Sequence, residues 1–412
     1  MTTCILHICL ANAVSPPPCQ GIAPPQRNLT DVSAATSTLP VGSLPFGIVY
    51  ATHQPNTAFV ALNHSLGVLD TSTFAPTLKH QIPFPASASG PLDALGGVGG
   101  NGLALTHDGR YVLVTAFSSA LIVIDAGRAA RSRSSDSIIA VLAGEARAGD
   151  TAVEVTVSPD DRYAYVAQEN GVETVTKEAN RTDTYNSQRG RIETFALHPS
   201  SHGRDERRQF HGEYLGFQEL GYAVVGTQVS LDGRLLYATS EQKALNDTHG
   251  FLSVLSTEAL RRNSSRAEIA RVDAGCEPVR ALLSSDGKQL WVTARSSNAL
   301  LAFDARRLIH NRSNSLLARV QVGTQPVGLA FVRNGSRIVV ADSDRSSKAQ
   351  AHPALTVVNV QAALSGEGSA NIGQIAADAF PRELAVSSDG RTMLVSEYAA
   401  GRIRAIDVET LP

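Results

Sequence analysis

Three charged side chains stand at one aligned position of largely apolar segments: Glu154 in AVEVTV, Arg280 in PVRALL and Glu383 in PRELAV. A carboxylate, a guanidinium and a second carboxylate drawn out of water can do two things. As a polar clamp, carboxyls whose proton affinity is changed by burial serve as acid and base, while the arginine donates hydrogen bonds or supplies counter-charge. As a plug, the same three groups satisfy one another and stiffen the fold without doing chemistry. The residue types leave both uses open.

What brings the three together is an internal repeat. THDGRYVLVTA, SPDDRYAYVAQ, SLDGRLLYATS, SSDGKQLWVTA, VRNGSRIVVAD and SSDGRTMLVSE share a turn and an alternating strand, and THQPNTAFVAL is a degenerate copy. Counted from Gln54, Asp108, Asp160, Asp232, Asp286, Asn334 and Asp389, the spacings are 54, 52, 72, 54, 48 and 55. Each unit runs apolar strand, turn, alternating strand, then a third strand such as ALIVIDA and a fourth such as IARVDAG, with Gly or Pro at the breaks. Four short antiparallel strands per period and no helical periodicity predict an all-β, seven-bladed β-propeller. The last unit ends one strand short at GRIRAIDVETLP, whereas the N-terminal STLPVGSLPFGIVY matches ARVQVGTQPVGLAF. An N-terminal strand therefore completes the last blade, which removes an open sheet edge. The ring takes residues 35–412, after a possible signal segment over 1–13 and a loose Pro-rich tail over 14–34.

Aligning the first strands yields one column: Gly47, Gly102, Glu154, Gly226, Arg280, Gly328 and Glu383. It is expected to line one mouth of the central channel, with the four glycines keeping the channel wide. Loops leaving the second strands would bring Asn63, Phe117, Gln168, Glu241, Arg295, Asp342, Glu397 and Tyr398 to the same mouth as substrate-binding candidates. The long spacing contains insertions over 169–190 and 198–214, expected to form a lid there. The Asp-Gly turns, short and repetitive, mark the opposite face, where His107 also falls.

Other chemistries lack their motifs. The histidines show no H-x-H or H-E-x-x-H spacing, and there is no G-x-S-x-G elbow, P-loop or G-x-G-x-x-G. No transition-metal site is expected; carboxylates collected across blades, such as Glu241, Asp342 and Glu397, could still hold calcium without any local spacing. The formal net charge of -2 and the absence of basic runs exclude an electrostatic footprint for nucleic acid or an anionic membrane. No apolar run approaches the roughly 20 residues that span a bilayer.

Secretion is the expected destination. Asn28, Asn63, Asn180, Asn246, Asn263, Asn311 and Asn334 each open an N-x-S/T sequon. The N-terminal apolar stretch ends in Ala11-Asn12-Ala13, similar to a signal cleavage site, although a positive n-region is missing. Cleavage would leave Cys19 and Cys276 as a pair that an oxidising compartment could bridge; two unrelated thiols is the alternative.

The repeats resemble the YVTN type of seven-bladed propeller, shared with lactonase-like proteins, and the resemblance covers nearly the whole chain. Together with the sequons they are similar to a set of secreted fungal propellers that includes the hetero-Diels-Alderases of tropolone-sesquiterpenoid biosynthesis. That resemblance implies a cofactor-free enzyme with a small-molecule substrate; a central funnel with Arg280 as donor or counter-charge and Glu154 or Glu383 as acid and base suits such a reaction. A lactonase-like hydrolase and a non-enzymatic secreted binding propeller are the alternatives.

Overall fold

The repeated turns build one end of each blade, and their chemistry explains why the repeat is visible. In THDGR, SPDDR, SLDGR, SSDGK and the final SSDGR, the Ser or Thr hydroxyl donates to the Asp two residues on, at 2.5–2.7 Å. The same hydroxyl accepts the N–H of the first residue of the following strand, at 3.0 Å in all five. The side chains thus close a turn that the backbone alone would leave with an unpaired N–H.

A computed structural model describes residues 30–85, 100–116, 119–145, 151–169, 171–178, 181–198, 210–244, 247, 249–263, 266–345, 352–366, 368 and 370–412. These form seven four-stranded antiparallel sheets arranged as a β-propeller. The innermost strands are Ile48–Tyr50, Gly100–Leu105, Ala152–Val157, Tyr222–Val229, Pro278–Leu283, Pro326–Val332 and Pro381–Val386, numbered here as blades 1 to 7. The second strands, Thr57–Leu62 through Thr392–Glu397, are almost wholly buried, and their alternating Val, Leu and Ala pack against the adjoining blade on each face. The N-terminal strand Thr36–Pro40 is the outer strand of blade 7, pairing Thr36 with Ile406 and Pro40 with Arg402, so the ring closes as the sequence requires.

The segment before this strand is partly docked. Val32 donates its N–H to the Gln374 carbonyl and Gln374 donates to the Thr30 carbonyl, so Thr30–Val32 runs along the outer strand of blade 6. The expectation of a loose tail up to residue 34 is therefore corrected for residues 30–34: an outer strand has free N–H and C=O groups, and the chain covers them.

The two insertions separate. The first forms a hairpin, Gly171–Glu178 with Arg181–Gln188, between the second and third strands of blade 3 at the Gln168 end. The second departs from His198 and returns at His211, a pair at the other end of the blade, on the Asp-Gly face. A single lid over the mouth was the wrong reading of these two, because the connection between third and fourth strands must leave from the far end. Residues 199–209 lie outside the described residues.

Candidate functional site

Six innermost strands break register at the column residues, between Gly100 and Leu103, Ala152 and Glu154, Val224 and Gly226, Pro278 and Ala281, Pro326 and Leu329, and Pro381 and Leu384. A bulge leaves one N–H without a ladder partner and re-aims its side chain. The orphaned N–H is met by a hydroxyl of the second strand: Gly102 donates to Thr115 at 2.8 Å, Arg280 to Thr293 at 3.1 Å and Glu383 to Ser396 at 3.0 Å. Thr293 passes its own proton to the Val327 carbonyl of the next blade, at 2.7 Å. The recurring Thr or Ser of LVTA, WVTA and LVSE was thus the sequence signal for these bulges.

The glycines of the column do not widen the channel. A Cβ on Gly47 would stand 2.6 Å from the Leu103 nitrogen, on Gly102 2.7 Å from the Glu154 Cα, on Gly226 2.3 Å from the Val279 oxygen and on Gly328 2.0 Å from the Arg382 oxygen. Each contact is with the innermost strand of the following blade. The glycines let neighbouring blades close on one another, which narrows the channel.

The three charged residues stand on alternate blades and meet across it. Arg280 Nε and Nη2 donate to Glu383 Oε1 at 3.0 and 2.7 Å, and Nη1 donates to the Val225 carbonyl. Glu154 Oε1 lies 3.5 Å from Arg280 Nε, and Glu154 Oε2 accepts the Thr227 N–H at 2.6 Å. The Arg280 side chain is only 4% exposed, against 22% for Glu154 and 20% for Glu383. Burial pushes the Glu154 carboxyl up to about 7; Arg280 opposes the rise and Glu383 adds to it. Burial alone would lower the Arg280 pKa, but the carboxylates of Glu383 and Glu154 hold it above the usual range. A small cavity beside them is walled by Gly47, Ile48, Gly102, Leu103 and Val153.

The expected rim residues are mostly interior. Gln168, Glu241, Arg295, Asp342 and Glu397 stand at or just past the ends of the second strands and are buried, and each has a side-chain partner. Arg295 makes a fork to Glu241 at 2.7 and 2.8 Å and reaches Glu277 at 3.0 Å. Burial raises the Glu241 pKa, and Arg295 counters it. Gln168, fully buried, donates to Glu193 at 2.9 Å, which also takes Arg191 and Ser119. Asp342 accepts from Thr356 at 2.6 Å and from Gln374 at 3.2 Å; burial lifts its carboxyl to about 7 and its Oδ1 has no partner. Glu397 accepts from Arg404 at 2.5 Å and from the Asp378 N–H at 2.9 Å. Glu241, Asp342 and Glu397 therefore serve separate networks, and among the described residues no group of three or more His, Cys, Asp or Glu is placed to share a metal ion.

Asn63 sits in the turn before the third strand of blade 1, hydrogen-bonded to His64 at 2.9 Å. Tyr398 packs edge-on to Phe46 and Phe380, with centroids at 6.1 and 5.4 Å. Phe117 lies outside the described residues, as do Cys19 and the sequons at Asn28, Asn180 and Asn246. Cys276 is fully buried and disulfide-bonded.

Sequence reasoning missed Arg382 and Arg345. Arg382 adjoins Glu383, with its guanidinium 3.6 Å from the Phe46 ring centroid, 5.3 Å from that of Phe380 and 5.8 Å from that of Tyr398. Both arginines line a cavity at the mouth with Arg280, Arg295, Glu169, Glu241 and the valines Val153, Val225, Val279 and Val327. These valines directly precede the column residues Glu154, Gly226, Arg280 and Gly328.

The fold and this central funnel define a class, the seven-bladed β-propeller. No model of a known protein family matches the chain, and no curated protein matches it. Solved structures do. A chain in the crystal structure of the mitotic checkpoint complex is similar over 94% of this chain and 97% of its own, at 12% identity and a TM-score of 0.60. A chain of the hydrazine synthase of Kuenenia stuttgartiensis is similar over 91% of this chain and 98% of its own, at 14% identity and a TM-score of 0.59. At such identities the likeness is one of fold. No helix among the described residues is long and apolar enough to cross a membrane.

Proposed function

We propose that the chain is a small-molecule enzyme of fungal secondary metabolism, a hetero-Diels-Alderase that joins a tropolone ortho-quinone methide to a humulene-type sesquiterpene in the central funnel. The observation that supports this most is Glu154, a carboxyl with a pKa near 7 beside Arg280 and Glu383, at a small cavity whose other walls are Gly47, Ile48, Gly102, Leu103 and Val153. Such a group both gives and takes a proton at neutral pH. Glu154 protonates the leaving hydroxyl of a hydroxymethyl tropolone, the C–O bond breaks and water departs into the small cavity. The proton of the ring hydroxyl passes to Glu383, so the quinone methide forms with no net change in charge. Its oxygen and exocyclic carbon then bond to the two alkene carbons of the terpene, a step that needs proximity and orientation. Arg280 fixes both carboxyls in place.

One observation favours a second reading, a secreted binding propeller without catalysis. Arg280 is nearly inaccessible and is fully engaged by Glu383, Glu154 and the Val225 carbonyl, as a plug would be. Incubation with a tropolone alcohol and a humulene-type alcohol separates the two: the enzyme accelerates adduct formation over the spontaneous reaction, and the plug does not.

The same proposal places the protein in the secretory pathway. The disulfide at Cys276 supports an oxidising compartment. Asn263, Asn311 and Asn334 are exposed. Glycans there would leave the mouth open: Asn334 sits in the turn between first and second strands, and Asn263 and Asn311 sit between third and fourth strands, all at the end away from the mouth.

A further inference from the structure

We infer that the mouth of the funnel holds a binding site for a small organic monocarboxylate, with Arg382 and Arg345 taking its carboxylate and the valine collar taking its apolar body. The inference is independent of the acid-base reading of Glu154.

Arg382 is only 8% exposed, and its Nε is buried with no hydrogen-bond partner. Every other deeply buried arginine among the described residues is matched: Arg280 by Glu383, Arg295 by Glu241 and Arg191 by Glu193. The Arg382 side chain alone among these has no hydrogen bond or salt bridge within the described residues: its guanidinium lies over the Phe46 ring, near those of Phe380 and Tyr398, and feels the Glu383 and Glu169 carboxylates only at longer range. Stacking orients the guanidinium but leaves Nε without a partner, and burying a charge in that state is costly unless something else pairs with it.

Arg345 approaches from the exposed rim, its guanidinium 5.9 Å from the Phe380 centroid, and lines the same cavity. Two guanidinium groups flanking one ring present planar donor forks, which match a carboxylate better than a compact ammonium would. The rest of the lining is four valines together with Arg280, Arg295, Glu169 and Glu241; Arg280 and Arg295 are already held by carboxylates, so the valines are left to take a compact hydrocarbon or aromatic body. The Glu169 and Glu241 carboxylates line the cavity too, and Glu169 acts on both arginines from beyond salt-bridge distance; their charge disfavours a second negative group on the ligand.

Titration of the full chain with benzoate and with benzamide, a neutral molecule of the same shape, tests the site. At pH 7 benzoate is expected to bind one-to-one, and benzamide about 10-fold or more weaker. R382Q and R345Q should each weaken benzoate by about 10-fold or more. R345Q changes an exposed residue and carries the test if R382Q does not fold. Equal binding of the two probes, benzoate affinity untouched by the substitutions, or no benzoate binding at millimolar concentration by the folded protein would each overturn the inference. Because the readout is binding, it stands or falls separately from the proposed reaction.

Discussion

Replacing Glu154 with glutamine should change how stability depends on pH, by an amount that follows from its surroundings. Glu154 faces Arg280, Glu383 and Arg382 and accepts the Thr227 N–H. Its pKa rises from 4.5 to about 7 on folding. At about 1.4 kcal/mol per unit this is roughly 3 kcal/mol, which the 22% exposure of the side chain reduces to about 2 kcal/mol. The folded protein holds this proton longer than the unfolded chain. Its contribution is therefore fully favourable below pH 4.5, declines as the pH rises to 7 and stays low above that. Glutamine keeps an acceptor for Thr227 and does not titrate. Equilibrium urea denaturation at several pH values from 4.5 to 8 should show E154Q gaining about 2 kcal/mol on the wild type across that interval. Parallel curves would refute the claim that this carboxyl is desolvated in the central channel.

Two other expectations concern the ring and its surface. G328A sets a Cβ 2.0 Å from the Arg382 oxygen and 2.9 Å from Leu384 Cδ1, backbone and core that cannot both yield. It should cost about 2 kcal/mol in the same denaturation assay, whereas G368A, with nothing within 4 Å, should be silent. Expression through a fungal secretory pathway should give a protein whose mass falls on N-glycosidase treatment. Removing the exposed sequons with N263Q, N311Q and N334Q together should diminish that loss, and an unchanged mass on treatment would contradict secretion with glycosylation.

The architecture was legible because its determinants are local and repeated. A hydroxyl and an aspartate at fixed spacing close each turn, so the period, the blade count and the N-terminal closure could all be read from one-dimensional matches. The Glu154, Arg280 and Glu383 cluster followed from the same alignment, since residues in one column of a ring must face one another. What a repeat cannot convey is how closely the blades approach. Gly328 reads as an absence of side chain, but its function is contact with the Arg382 backbone of the next blade. Gln168, Asp342 and Glu397 read as rim residues because loops follow them; only the packing reveals that they are interior and already partnered. Arg382 was hidden for a third reason. Strand alternation alone sets it opposite Glu383, and the register break between Pro381 and Leu384, together with Phe46 from another blade, decides where its guanidinium lies.

The central claim is that the charged funnel catalyses dehydration and cycloaddition. Adduct formation from a tropolone alcohol and a humulene-type alcohol, measured at pH 7 with wild type, with E154Q and without protein, tests it most directly. The account predicts acceleration by the wild type and a loss of about 100-fold or more of that acceleration in folded E154Q. Equal rates with and without the wild-type protein would contradict it.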